Sequence, residues 1–260
     1  MGLTSMPRNR INEQNLQQSS YQAVILDLDG VITQTAHLHA YSWKQMFDRY
    51  LQQRSQQGEQ YALFDVNADY QYMNGKPRHD GVQSFLESRG IKLAKGSSDD
   101  LAGTETIYGL GNLKNELFLK LLEQDGIRTY ADTVEQIYRW QNQGMKLAVV
   151  SSSRNCDPIL KAAGLRSLFE VKVDGVDCAQ LRLKGKPAPD LFLEAARQLN
   201  VEPQQAIVIE DAISGVAAGR AGGFGLVVGV DRDGSEVALQ EHGADLVVQD
   251  LRDLHAYKVS

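Results

Sequence analysis

An α/β fold, a doubly wound parallel sheet interrupted by an inserted helical domain, is what this sequence predicts, on three observations. Five apolar runs lack the alternation of a half-exposed strand. Amphipathic helical patterns separate most of these runs, as strand and crossover helix do in a parallel sheet. One long interval after the first run holds helical patterns only.

The first run, Val24-Ile25-Leu26, stops at Asp27-Leu28-Asp29-Gly30. A strand buried on both faces ends there, and Gly30 lets the backbone turn. Asp27 and Asp29 share a face only if the chain stays extended past the strand. Two carboxylates this close repel unless a cation or a shared proton separates them. That argues for Mg²⁺, a hard ion taking oxygen ligands; taken alone, the pair also fits a surface turn with solvated acids. The other runs are 147–150, 206–209, 225–230 and 246–248, with helices expected over 132–143, 157–163, 189–199 and 214–221. Three runs end in polar residues: Ser151-Ser152-Ser153, Glu210-Asp211 and Asp231. Ligands bind beyond the carboxyl ends of strands in such sheets. Residues 36–126 break the rhythm with helical segments at 37–52, 79–89 and 114–123, so they read as a helical insert on two hinges. Residues 1–20, rich in Gln, Asn, Ser and Arg, read as a mobile leader. The core is then 21–35 plus 127–260.

Composition narrows the function classes. Hydrophobic residues make up 42% and charged residues 23% of 260, the proportions of a globular protein. The net charge of −6 comes with no basic stripe, which argues against a nucleic-acid partner. No apolar run approaches the roughly 20 residues of a membrane helix, so no membrane partner is expected. Cys156 and Cys178 have no CxxC spacing, which favours free thiols and a cytoplasmic protein. A monomer acting on a small molecule is expected. His37, His79, His242 and His255 form no ligand spacing and read as structural or solvated. Gly109-Leu110-Gly111 and Gly222-Gly223-Phe224-Gly225 lack the full nucleotide-loop pattern and read as turns.

Asp27-Leu28-Asp29-Gly30, then Ser151, then Lys186-Pro187, then Glu210-Asp211 resemble, in order, the four signature motifs of the haloacid dehalogenase-like superfamily of phosphotransferases. The resemblance spans about residues 22–250 and implies a Rossmann-like core under an α-helical cap. It implies Asp27 as a nucleophile that becomes an aspartyl-phosphate. Asp29 would be the general acid and base. Asp27, the Asp29 backbone carbonyl and Asp211, supported by Glu210, would hold Mg²⁺. Ser151 and Ser152 would offer hydroxyl and N–H groups to the phosphoryl group, and Lys186 a point charge. Read without the family, Ser151–153 could cap the next helix, and Lys186 could be a solvated surface lysine like Lys184.

The insert is similar to that of the β-phosphoglucomutase family in Thr35, His39, Trp43-Lys44, Gly75-Lys76-Pro77-Arg78 and Lys114-Asn115, as is Arg154-Asn155 in the core. The resemblance implies a cap closing over a hexose phosphate, with Arg78 holding a second phosphate and Arg154 and Asn155 helping from the core. Lys114 and Asn115 would contact the sugar, His39 would stand near Asp29, and Thr35 would lie at the hinge. At spacing four, His39 and Trp43 equally fit plain core packing. Gln34 replaces the family's Asp and loses its charge. The longer stretch at 52–69 is expected to reshape the entrance or admit a disaccharide phosphate. The activity implied is a Mg²⁺-dependent interconversion of β-glucose 1-phosphate and glucose 6-phosphate through a 1,6-bisphosphate. A sugar-phosphate phosphatase using the same residues is the alternative, and a non-catalytic binding protein on this scaffold is a third.

Overall fold

The computed structural model describes residues 21–257, so the expected leader at 1–20 lies outside the described residues. Six strands form one parallel sheet: β1 (Ala23–Asp27), β2 (Lys146–Val150), β3 (Val171–Val173), β4 (Ala206–Glu210), β5 (Leu226–Val230) and β6 (Leu246–Val248). Their order is β3-β2-β1-β4-β5-β6. Strand β1, buried along its length, is flanked by β2 and β4, and the order reverses there, opening a crevice at the carboxyl edge.

The α-helices of six or more residues are α1 (Ala36–Gln56), α2 (Arg78–Ser88), α3 (Ile107–Asp125), α4 (Ala131–Asn142), α5 (Cys156–Ala162), α6 (Gly175–Leu181), α7 (Asp190–Leu199), α8 (Ile213–Ala221) and α9 (Glu236–Glu241). Alternation along β1 sorts them into layers. Val24 and Leu26 face Ile137 and Trp140 of α4, Ile159 of α5 and Phe118 of α3. Ala23 and Ile25 face Leu191 and Phe192 of α7, Val216 of α8 and Leu239 of α9. Both faces are covered, which is why the strands carry no polar alternation.

Residues 36–125 supply α1, α2 and α3, which meet around a separate apolar cluster including Phe47, Phe64, Phe85 and Leu110. The chain leaves the sheet at Thr33–Gln34 and returns at Arg128–Tyr130, and the two passages are hydrogen-bonded side by side. Gln34 N–H donates to the Arg128 carbonyl at 2.8 Å and Tyr130 N–H to Ile32 at 3.0 Å. The Gln34 side chain adds a bond to the Thr129 carbonyl at 3.2 Å. Where the resemblance expects a charge, this chain uses an amide to tie the two passages together.

Three expectations need correction. Helix α3 begins at Ile107 rather than 114, so Gly109-Leu110-Gly111 is helical, not a turn. Thr106 caps it by accepting the Gly109 N–H at 2.9 Å, and the absent side chain of Gly111 leaves space for the His79 ring. Strand β3, of three residues, and helices α6 and α9 have no counterpart among the expected elements. The stretch 52–69 neither shapes the entrance nor borders the cavity: Phe64 is buried in the helical cluster, with its N–H held by Asp48 at 2.8 Å. Gly222 and Gly223 do form the turn after α8. Among the described residues no helix is long and apolar enough to cross a membrane, and both cysteines are free.

Candidate active site

A cavity of about 880 Å³ lies between the carboxyl edge of the sheet and the helical insert. At its floor Asp27, the last residue of β1, is bonded to the Lys186 ammonium. Lys186 also donates to Glu210 Oε1 at 2.5 Å, and Glu210 Oε2 accepts the Ala212 N–H at 2.8 Å. All three side chains are buried. Burial would strip the lysine of its proton, but Asp27 and Glu210 outweigh it and hold the ammonium charged. Lys184, by contrast, is exposed at the rim.

Negative charge exceeds positive here. Burial pushes the Asp27 carboxyl well up, with Glu210 and Asp29 adding to the rise and only Lys186 opposing it. Burial also raises Asp211, and Glu210 and Asp27 push it further. No hydrogen bond reaches the Asp211 carboxylate from the described residues. It lies so close to Gly30 that a Cβ there would overlap it, and Gly30 turns with φ +94°. Among the described residues, no three His, Cys, Asp or Glu side chains are arranged to hold a metal alone. Two under-neutralised carboxylates against a backbone turn nevertheless suit Mg²⁺, which takes one or two carboxylates and fills its shell with water and phosphate. Glu210, expected to support the metal, lies beside Asp211 with one oxygen bonded to Lys186 and the other to the Ala212 N–H.

Asp29 lies beyond the strand in the turn and is bonded from three directions. Its Oδ1 accepts Thr35 Oγ1 at 2.5 Å and His39 Nε2 at 3.2 Å, and its Oδ2 accepts Ser151 Oγ at 3.2 Å. Ser151, expected at a phosphoryl group, is thus turned to Asp29. Burial would raise the Asp29 carboxyl, but His39, Thr35 and the charge of Lys114 hold its pKa down to about 2. His39 stacks on Phe118 at 4.0 Å, and its Nδ1 lies 2.5 Å from Lys114 Nζ. Burial and the Lys114 charge lower the His39 pKa while Asp29 opposes them, and Nε2 donates to the Asp29 carboxylate. Trp43, in the helical core, also borders the cavity and lies under the Lys114 amino group at 5.1 Å, whose pKa burial and the Arg78 charge push well down. Removing His39 leaves burial less opposed, so in His39→Ala the Asp29 pKa rises and its proton is gained at higher pH. A carbon-13 NMR titration of labelled aspartate checks this; an unchanged midpoint would refute the role given to His39.

The remaining expected residues meet at the far wall. Arg78 opens α2 and, among the described residues, donates only to the Gly111 carbonyl, at 3.3 Å. Burial and the neighbouring charge of Arg154 bring its pKa down to about 10. Arg154 makes no ion pair or side-chain hydrogen bond among the described residues. Asn155 Nδ2 donates to Asn115 Oδ1 at 3.0 Å, joining core to insert. Ser152, expected at a phosphate, instead donates its hydroxyl to the Gly75 carbonyl at 2.6 Å.

Tyr70 and His79 are among the cavity residues that escaped the sequence reading. Tyr70 donates to the Ala36 carbonyl at 3.4 Å, and burial with the charges of Asp211 and Asp29 pushes its phenol up, keeping it protonated. His79, read as structural or solvated, borders the cavity with Nε2 buried and unpartnered. Burial and the charges of Arg78 and Arg154 hold its pKa near about 4, so it is neutral. The only sequence signal for either was nearness to Gly75-Lys76-Pro77-Arg78.

The family model for haloacid dehalogenase-like hydrolases matches residues 21–223. A β-phosphoglucomutase of Mycobacterium bovis is 48% identical over 238 residues, covering 90% of this chain and 91% of that protein. This chain belongs to the β-phosphoglucomutase family of the haloacid dehalogenase-like superfamily. A β-phosphoglucomutase of Bacillus subtilis is 31% identical over 240 residues, covering 90% of this chain and 91% of that protein. The crystal structure of a β-phosphoglucomutase from Clostridium difficile matches with a TM-score of 0.71 at 26% identity, covering 90% of this chain and 93% of that one. As a member of the β-phosphoglucomutase family the chain is an enzyme, with its four motifs gathered at one cavity.

Proposed function

We propose that this enzyme is a Mg²⁺-dependent β-phosphoglucomutase that interconverts β-glucose 1-phosphate and glucose 6-phosphate. The observation carrying this reading is the pairing of Arg78 with Arg154 at a cavity whose floor is Asp27 and Lys186. Two neighbouring guanidinium groups with no carboxylate partner among the described residues call for an anion between them. A second phosphate site beside a phosphoryl-accepting aspartate is what a bisphosphate intermediate requires.

In the first half-reaction a phosphoryl group on Asp27 is attacked by the sugar C6 hydroxyl. Asp29, held ionised, takes the hydroxyl proton as the O–P bond forms and the Asp27–phosphorus bond breaks. The 1,6-bisphosphate turns so that its other phosphate faces Asp27. The Asp27 carboxylate then attacks that phosphorus, and Asp29 returns its proton to the leaving C1 oxygen. Lys186 keeps Asp27 oriented and compensates its charge. Asp27, Asp211 and the Asp29 backbone carbonyl would hold Mg²⁺, which when bound neutralises the carboxylate and phosphoryl charges so that they can approach.

Phosphorus-31 NMR of β-glucose 1-phosphate with enzyme, Mg²⁺ and a trace of glucose 1,6-bisphosphate tests the reading. Glucose 6-phosphate without matching inorganic phosphate is the expected result. Inorganic phosphate as the main product makes the enzyme a phosphatase. Two variants sharpen the test. Arg78→Ala is expected to slow mutase turnover about 10- to 100-fold, the worth of a charged hydrogen bond. Hydrolysis of a small aryl phosphate should fall much less, and equal losses would remove the second phosphate site. Gly30→Ala forces the Asp211 carboxylate aside and puts a side chain at φ +94°. Mg²⁺ affinity measured by calorimetry should drop, and undiminished affinity would argue against Asp211 as a ligand.

A further inference from the structure

The segment leading to Arg78 is held against the core by contacts that the chemistry above does not use. Ser214, in the first turn of α8, donates its hydroxyl to the Asn74 carbonyl at 2.7 Å. Ser152, just past β2, donates to the next carbonyl along, that of Gly75, at 2.6 Å. The two hydroxyls come from the loop after β2 and from the helix after β4, the strands flanking β1, so they grip consecutive peptide groups from two sides. The fit is close. Gly75 turns with φ +73°, and a Cβ there would collide with Ser214 Oγ. Pro77 sits on Gly185 with no room for a side chain between them. Arg78 follows directly, so the position of this segment sets where its guanidinium lies.

Cap opening must break both hydroxyl–carbonyl bonds at once. Each freed group is rehydrated, so the net worth of a bond is modest, but it acts wholly on the closed state. A phosphorylated Asp27 has two possible acceptors. With the sugar hydroxyl in place, its oxygen bonds to phosphorus, its proton goes to Asp29, and the Asp27–phosphorus bond breaks. With the segment lifted, a water molecule can do the same, leaving inorganic phosphate and a free Asp27 carboxylate.

We infer that Ser152 and Ser214 are positioning residues that clamp the cap segment to the core and so bias phosphoryl transfer toward sugar rather than water. This rests on the mutase reading. The test compares Ser152→Ala, Ser214→Ala and the double variant with the wild type under Mg²⁺. Two quantities are read: inorganic phosphate formed per glucose 6-phosphate by phosphorus-31 NMR, and amide hydrogen exchange across residues 73–78. Each alanine is expected to raise the phosphate ratio about fivefold, equivalent to about 1 kcal/mol. The double variant should raise it more, with faster exchange, and Ser214→Thr should restore much of the wild-type ratio because it keeps the hydroxyl.

An unchanged ratio in the double variant overturns the inference, whether or not exchange quickens. A wild type that releases only inorganic phosphate fails the mutase reading, and the partition claim falls with it. In that case exchange still judges the clamp by itself: faster exchange in the double variant supports it, and unchanged exchange overturns it.

Discussion

Asp27→Asn is expected to abolish turnover and leave the fold intact. An amide has the shape of the carboxylate and can still meet the Lys186 ammonium, which keeps Glu210 as its counter-charge. It cannot displace a phosphoryl group, so the loss in kcat should be at least about 10⁴-fold, the scale seen when a nucleophile is removed. Stability should move the other way. Burial, Glu210 and Asp29 all disfavour the ionised Asp27, so its folded pKa lies above the unfolded one. Ionising such a group near neutral pH costs stability, and the neutral amide removes that cost. Without Mg²⁺ the variant should melt at or above the wild-type temperature. Two checks suffice: a steady-state assay, and trapping of labelled phosphoenzyme, which should disappear. Wild-type-like rates would end the nucleophile assignment.

Lys186→Met should cost both activity and stability, for a reason visible in the same cluster. The ammonium is the cation that both Asp27 and Glu210 contact, and all three groups are buried. Removing one member of a buried charge network leaves the others uncompensated, at about 3–5 kcal/mol. Methionine fills most of the volume, so a cavity contributes little to the loss. The pH dependence gives a sign to check. Without the lysine, the group that opposes the rise in the Asp27 pKa is gone, so protonation of Asp27 relieves its buried charge and stability recovers as pH falls from neutral toward 5. Urea unfolding at the two pH values measures it. A loss below about 1 kcal/mol at neutral pH would mean that the lysine is not compensating buried charge.

How much of this could be read from the chain depends on how far apart the partners are. The parallel sheet was legible because β1, β2, β4 and β5 are apolar on both faces, a property of each local stretch. The three residues of β3 were too few to stand out. Helix α3 was cut short because Gly109 and Gly111 look like turn residues, and the reason for Gly111, space for His79, lies in another helix. At the site, Asp27, Asp29, Lys186 and Asp211 were found because each follows a strand or opens a helix in a recognisable order. The orientation of Glu210 toward Lys186, of Ser151 toward Asp29 and of Ser152 toward Gly75 was not legible. Each depends on a partner 24 to 122 residues away.

The two side-by-side passages at Ile32–Gln34 and Arg128–Tyr130 have an evolutionary consequence. A polypeptide that leaves a sheet and returns at neighbouring points imposes no span on whatever lies between. The core therefore tolerates exchange of the whole insert: a different helical body could be grafted at the same two points without disturbing the strands, Lys186 or Asp211. Asp29, which His39 and Lys114 of the insert hold low, would need matching partners from any such graft.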